Sequence, residues 1–135
     1  MVASLLDTVI DTPAPRRLAE FYRRLLDLRY RPGDEPSGGP DADWLVLVHP
    51  DGRRALAFQQ VAELRRCTWP DPDVPQQLHL DCTVADSAQL RATVAEAVAM
   101  GATVLHDRSD HPDEPLFVLA DPDGHPFCAF VSHVS

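Results

Sequence analysis

The sequence predicts an α+β fold of two βαβββ modules related by a pseudo-twofold, whose bare sheet faces close into one cupped mixed sheet. Three observations predict it. Shifting the numbering by 72 lays the second half on the first without a gap: Leu6 falls on Leu78, Leu18 on Leu90 and Val46-Leu47 on Val118-Leu119, while Pro50-Asp51-Gly52 falls on Pro122-Asp123-Gly124 and Ala57-Phe58 on Ala129-Phe130. Each half then carries one stretch with apolar residues at helical spacing, flanked by short apolar runs between proline, glycine and aspartate clusters, the pattern of strands joined by turns. A four-stranded sheet with a single helix also leaves its other face uncovered, and two such units can bury those faces against one cavity.

The first module is expected over residues 4–61. Ser4 to Ile10 is an apolar run ended by Asp11-Thr12-Pro13-Ala14-Pro15, whose prolines fit the first turn of a helix, where amide groups have no partner. From Arg16 to Leu26, Leu18, Phe21, Tyr22, Leu25 and Leu26 make one face, with Arg16, Arg17, Glu20, Arg23 and Arg24 opposite: an amphipathic helix. Leu28 to Arg31 reads as a short strand. Pro32 to Asp41, with three glycines and three prolines, is a loop. Trp44 to Val48 and Arg54 to Val61 form a hairpin around the turn His49-Pro50-Asp51-Gly52-Arg53.

Residues 62–76 have no counterpart under the shift, and Pro70, Pro72 and Pro75 predict an extended connector. The second module is expected over residues 77–132. A strand from Gln77 to Val84 leads to Asp86 as helix cap, a helix from Ser87 to Met100 and Gly101 as its C-terminal stop. Strands over Thr103–His106, Leu116–Ala120 and Phe127–Val131 follow, with Asp121-Pro122-Asp123-Gly124 as the last turn.

Length and charge bound the function. A chain of 135 residues with 44% hydrophobic content fits a single packed domain, or two half-domains sharing one core. The net charge of −9 and a pI near 4.9 argue against nucleic acid or an anionic membrane surface as partner, and suit a neutral or cationic small molecule. Cys67, Cys82 and Cys128 are odd in number and lack paired spacing, so reduced thiols in a cytoplasmic protein are expected. No apolar stretch is long enough to span a bilayer, and the N-terminus lacks a signal-peptide pattern.

The paired units, the helix Leu18-Ala19-Glu20-Phe21-Tyr22-Arg23-Arg24-Leu25-Leu26, the run from Trp69 to Asp81 and the motif Asp121-Pro122-Asp123-Gly124-His125-Pro126-Phe127-Cys128 together resemble the vicinal oxygen chelate superfamily. That superfamily holds glyoxalase I, extradiol dioxygenases, fosfomycin-resistance enzymes and bleomycin-binding proteins; the last two motifs resemble a glyoxalase-like subgroup common in actinobacteria. The resemblance implies the glyoxalase/bleomycin resistance fold over residues 1–135, a homodimer, and metal ligands on the first and fourth strands of each module. Carried over, those positions are Asp7, Leu56, His79 and Cys128.

Here the chain departs from glyoxalase-type members, which have His or Gln and Glu at these places. Leu56 cannot ligate, and a thiol stands for a carboxylate at Cys128, so a hard-cation site loses a ligand and half its charge compensation. The expectation is therefore a protein without tightly bound Mg, Mn, Ni or Fe that binds a small organic molecule, such as an antibiotic or metabolite, in a cavity lined by Asp7, Leu56, Gln59, His79 and Cys128, with Trp44 and Trp69 as aromatic walls. The alternative is a zinc-type lyase, isomerase or dioxygenase using Asp7, His79 and Cys128 as an oxygen, nitrogen and sulfur set.

Each residue also has a plainer reading. His79 would line the cavity unmetallated, Cys128 would be a small buried hydrophobe, and Asp7 would bond a backbone amide. A covalent route through Cys128 needs a base and a depressed thiol pKa, with His79 the candidate base. His125-Pro126 shapes a loop, and His49, His106, His111 and His133 read as surface residues without ligand spacing.

Overall fold

Strands exist where a ladder partner exists, and that rule trims several of the expected boundaries. The computed structural model describes residues 2–37 and 41–132; Gly38, Gly39 and Pro40 of the predicted loop, and His133, lie outside the described residues. The chain divides into two compact units, Met1–Leu64 and Arg65–Ser135.

In the first unit β1 (Thr8–Thr12) leads to α1 (Pro15–Leu25), then β2 (Arg29–Tyr30), β3 (Trp44–Val48) and β4 (Arg54–Gln60). The sheet order is β1-β4-β3-β2, with β1 parallel to β4 and the other neighbours antiparallel. The expected start at Ser4 is too early: Thr8 is the first residue paired to β4, opposite Leu56, and Leu5 and Leu6 are exposed. Helix α1 starts as the prolines predict, with Pro15 in its first turn and the Ala14 amide donating to Thr12 Oγ1 at 3.0 Å. Its apolar face packs on the sheet, where Tyr22 stacks on Phe58 with ring centroids 6.1 Å apart.

The second unit repeats the plan with β5 (Leu80–Val84), α2 (Ser87–Ala99), β6 (Thr103–Arg108), β7 (Leu116–Ala120) and β8 (Pro126–Val131), in the order β5-β8-β7-β6. The predicted start at Gln77 is again early, for Leu80 is the first residue in the ladder with β8. Asp86 caps α2, accepting from the Gln89 amide at 2.8 Å. At the other end Gly101 takes φ 110°, and its amide and that of Ala102 donate to Val98 and Ala97, the paired bonds of a Schellman stop. Helix α1 stops the same way with Asp27 at φ 53°, the Leu28 amide reaching the Arg23 carbonyl.

Two features escape the gapless shift. Helix α2 has 13 residues against 11 in α1, and the loop before β7 is shorter than that before β3, so the changes cancel by β3 and β7. A bulge also interrupts the first unit. Leu47 pairs with Leu56 but Val48 with Arg54, leaving Ala55 without a partner, whereas β7 and β8 pair without interruption.

The segment read as an extended connector instead closes on itself. The Thr68 amide donates to Val74 O at 2.9 Å, the Val74 amide to Thr68 Oγ1 at 2.8 Å, and the Asp71 amide to Thr68 O at 2.8 Å. Prolines at 70, 72 and 75 remove donors but leave these three amides free to close a loop. Just before it, Arg66 donates to Pro122 O at 3.1 Å, tying the segment to the last turn of the second unit; a side chain at Gly124, at φ 96°, would run into the Arg66 stem.

Candidate functional site

In each unit the helix claims one side of the sheet, and the period of two along the strands assigns the other. In the first unit Thr8, Leu56 and Leu47 form one row, and Ile10, Phe58 and Leu45 the next, on the side where Tyr22 stacks on Phe58. The opposite side carries Val9, Ala57 and Val46, then Asp11, Gln59 and Trp44. In the second unit Leu80, Phe127 and Leu119 correspond to the first helix-side row, so Asp81, Cys128 and Val118 lie on the open side.

This pairing corrects the position of Leu56. Numbering places it on Cys128, but the bulge at Ala55 shifts β4 by one residue, so Leu56 corresponds to Phe127 and Ala57 to Cys128. Leu56 is buried on the helix side rather than open toward a ligand. Ala57 carries no donor either.

Asp7 directly precedes β1 and His79 directly precedes β5, matching places in the two units but one residue outside the first strands on which they were expected. Their surroundings differ. The Asp7 carboxylate is buried and held by Arg54, whose Nη2 and Nε lie 2.7 and 2.9 Å from Oδ2; the bond is therefore to a guanidinium rather than to a backbone amide. His79 is exposed, and its Nε2 lies 3.2 Å from Asp81 Oδ1. Parallel pairing sets Asp81 beside Cys128. One donor atom each from His79, Asp81 and Cys128 lies within 4.8 Å of the other two, so the second unit by itself gathers a nitrogen, an oxygen and a sulfur.

Asp81 was absent from the sequence-derived set. Its signal was there in His79-Leu80-Asp81, since residues two apart on an extended chain share a side. What numbering does not carry is the strand pairing that brings Cys128 next to it.

The electrostatics of the cluster keep the thiol protonated. Burial pushes the Cys128 thiol up, and the adjacent Asp81 carboxylate, which accepts its hydrogen bond, pushes it further in the same direction. Cys82, on the helix side, is pushed up to about 11, by burial first and then by Asp81 and Cys128. The depressed thiol pKa that a covalent route through Cys128 requires is therefore missing.

The remaining sequence-derived residues stand apart from this cluster. Gln59 is exposed and Trp44 half-buried on the open side of the first sheet, Trp44 packing against Val46, Val48 and Ala57. Trp69 sits in the closed loop, its amide donating to Cys67 Sγ at 3.4 Å. His125 serves the turn, as read from sequence: Nδ1 lies 2.7 Å from Oδ2 of the fully buried Asp121, which also accepts from the amides of Asp123 and His125. His111 Nδ1 accepts from the Asp113 and Glu114 amides and so closes the loop after β6. Among the described residues no helix is long and apolar enough to cross a membrane.

The fold and this constellation define a class, and comparison with known proteins gives the family. Residues 7–130 match the family model described as a glyoxalase-like domain, and the chain belongs to that family. Its fold is that of the vicinal oxygen chelate proteins. A glyoxalase/bleomycin resistance protein/dioxygenase family enzyme from Burkholderia phytofirmans PsJN is similar in structure, with a TM-score of 0.69 at 16% identity over 96% of this chain and 98% of that one. The fosfomycin resistance protein FosX from Mesorhizobium loti gives 0.68 at 13% identity, covering 99% and 96% of the two chains. FosX from Listeria monocytogenes, complexed with Mn(II) and sulfate, gives 0.67 at 11% identity with the same coverage. No curated protein matches the chain in sequence.

Proposed function

We propose that this protein binds a small organic molecule, and that His79, Asp81 and Cys128 on the open side of the second sheet form the polar end of the site. The convergence of these three side chains carries the reading. An imidazole, a carboxylate and a protonated thiol offer hydrogen-bond donors and acceptors of differing strength. The carboxylate, in a chain of net charge −9, favours a ligand with an amine or other cationic group. Sequestration of an antibiotic or metabolite by a homodimer in the cytoplasm is the role this composition suits.

The Mn(II) of the Listeria FosX structure prompts a test of fit. A hard divalent ion takes oxygen and imidazole donors. In this chain the Asp7 carboxylate is held by the Arg54 guanidinium, a cation that would repel an incoming ion, while Leu56 points to the helix side and Ala57 has no donor. In the second unit a thiol, Cys128, joins His79 and Asp81. Neither unit by itself offers the oxygen-rich set that a centre of the Mn(II) type takes.

The test is a calorimetric screen of amine-bearing and neutral organic molecules against chelator-treated protein. A ligand should bind without added metal, and His79→Ala should weaken it by about 1 to 3 kcal/mol through loss of one hydrogen bond or charged contact. Binding that is indifferent to both His79→Ala and Asp81→Asn, or that requires added Mn(II), overturns the reading.

A further inference from the structure

The central open-side row of the first sheet is Val9, Ala57 and Val46, and the same row of the second sheet is Asp81, Cys128 and Val118. Two apolar places in one unit are thus a carboxylate and a thiol in the other, and His79 supplies an imidazole where the first unit has Asp7 held by Arg54. No structural need of the strand explains the change, since the first unit builds the same sheet from valine and alanine.

We propose that His79, Asp81 and Cys128 form a site for a borderline-soft divalent cation of the zinc class, contained wholly within the second unit. Zinc takes imidazole, carboxylate and thiolate together, and three protein ligands leave its fourth position open. Bond lengths of about 2.0 to 2.3 Å in a tetrahedron place donor atoms about 3.3 to 3.6 Å apart. The imidazole and carboxylate already lie 3.2 Å apart, and the full set falls within 4.8 Å, so modest side-chain rotation closes it. His79 and Asp81 are exposed and Cys128 half-buried, which leaves the ion a route in and one face for an exogenous ligand.

The choice of metal follows from the sulfur. A thiolate selects zinc over manganese or magnesium, which prefer all-oxygen or oxygen-rich sets. On binding, the ion takes the place of the thiol proton, which leaves to solvent, and no electron is transferred. Asp81 thereby turns from the acceptor of the thiol's hydrogen bond into a ligand. Asp7 plays no part, in contrast to the set that the sequence alone suggests.

This inference rests on the same three groups as the proposed function, so the two are tested separately. Chelator-treated protein is titrated with Zn(II) alone and with Mn(II) alone by calorimetry, and Co(II) is added as a spectroscopic stand-in. Zn(II) should bind at one per chain and at least a hundredfold more tightly than Mn(II), and Co(II) should give a thiolate charge-transfer band and tetrahedral visible bands. Cys128→Ser should abolish the charge-transfer band, and Cys128→Ser, Asp81→Asn and His79→Gln should each weaken Zn(II) binding tenfold or more, while Cys82→Ala leaves it unchanged. Circular dichroism of each variant shows that it is folded. Zinc binding that survives Cys128→Ser, Asp81→Asn and His79→Gln combined in one chain, loss on Cys82→Ala instead, or equal affinity for Mn(II) overturns the site. The organic-ligand screen on metal-free protein is untouched by any of these results, so either proposal can fail alone.

Discussion

Across the open side of the first sheet, Val46 and Ala57 are fully buried and pack with Val48 and Trp44 as part of the core; at the matching places of the second sheet stand Val118 and the half-buried Cys128, with exposed Asp81 beside it. The third member of the row, Val9 in the first unit and Asp81 in the second, is exposed in both, so the units differ there by an apolar side chain against a carboxylate, and at the next place by a buried alanine against a half-buried thiol. A carboxylate and a thiol on a sheet contribute less to stability than valine and alanine, and such local departures from good packing concentrate where a protein does something else. The repeat therefore teaches by its failures: where the two units agree the residues hold the fold, and where they disagree the chemistry is concentrated.

The turns before β4 and β8 share a backbone frame and differ in what fills it. In the first unit the His49 amide donates to Arg53 O and the Gly52 amide to His49 O; in the second the Asp121 amide donates to His125 O and the Gly124 amide to Asp121 O. Only the second has a buried carboxylate at its centre, accepting from two amides and meeting His125. Asp121→Ala should cost at least about 3 kcal/mol, since each stranded buried donor costs about 1 to 3 kcal/mol. His49→Ala should cost less than about 1 kcal/mol, as half-buried side chains outside a network do. Urea unfolding of the two variants measures the difference, and equal costs would mean that the frame alone holds both turns.

A second test addresses the bulge. If Leu56 packs on the helix side as its pairing with Thr8 and Leu47 requires, Leu56→Ala should destabilise by about 2 to 4 kcal/mol. Gln59→Ala, exposed on the open side, should stay within about 0.5 kcal/mol. Denaturation midpoints that do not separate the two would restore Leu56 to the open side and the numbering-based correspondence with Cys128.

The β3 strand over Trp44–Val48 and its repeat over Leu116–Ala120 were legible in the sequence because five consecutive apolar residues between turn signals leave little choice, and Asp86 and Gly101 announced the ends of α2 by chemistry that operates locally. Leu56 was misplaced because a bulge adds a residue to one strand without changing chain length; the numbering stays in step while the sheet does not. The closed loop at 68–74 was hidden because prolines signal the absence of donors, while the bonds that fold it come from Thr68, Asp71 and Val74. His79 and Cys128 were found from the resemblance, and Asp81 was not, because a third member recruited by strand pairing leaves only a spacing of two in the sequence.

The helix ends give a smaller contrast. Both stop on a left-handed residue, Asp27 in the first unit and Gly101 in the second. Gly101→Ala should cost about 1 to 2 kcal/mol, the steric price of a β-carbon in that region, and the new atom would also meet the Pro122 ring at 3.4 Å. Asp27→Gly should stabilise by about 0.5 to 1 kcal/mol for the converse reason. Thermal melts reading opposite signs for the two substitutions confirm the shared stop; the same sign for both would deny it.

The smallest effect separates the units by pH. Tyr30 on β2 donates to Glu20 Oε2 at 2.7 Å, Arg23 holds the same carboxylate, and Arg16 lies over the Tyr30 ring at 4.9 Å. No such network exists at the corresponding Ala92 and Ala88 of α2. Burial first, and the hydrogen bond to Glu20 second, push the Tyr30 hydroxyl up from 10.0 to about 12. The folded state thus keeps a proton that the unfolded state releases earlier, so its contribution is present in full below pH 10 and is lost as pH rises from 10 toward 12. Tyr30→Phe should cost no more than about 1 kcal/mol at neutral pH, the net worth of one hydrogen bond. It should also flatten the alkaline fall in the urea midpoint, because phenylalanine has no proton to lose. Phenolate absorbance provides the direct check: the difference between parent and Tyr30→Phe should show one phenol that ionises only near pH 12 in folded protein and near pH 10 in urea. A variant whose midpoint falls as steeply as the parent's over that range would place the alkaline sensitivity elsewhere and remove Tyr30 from the comparison.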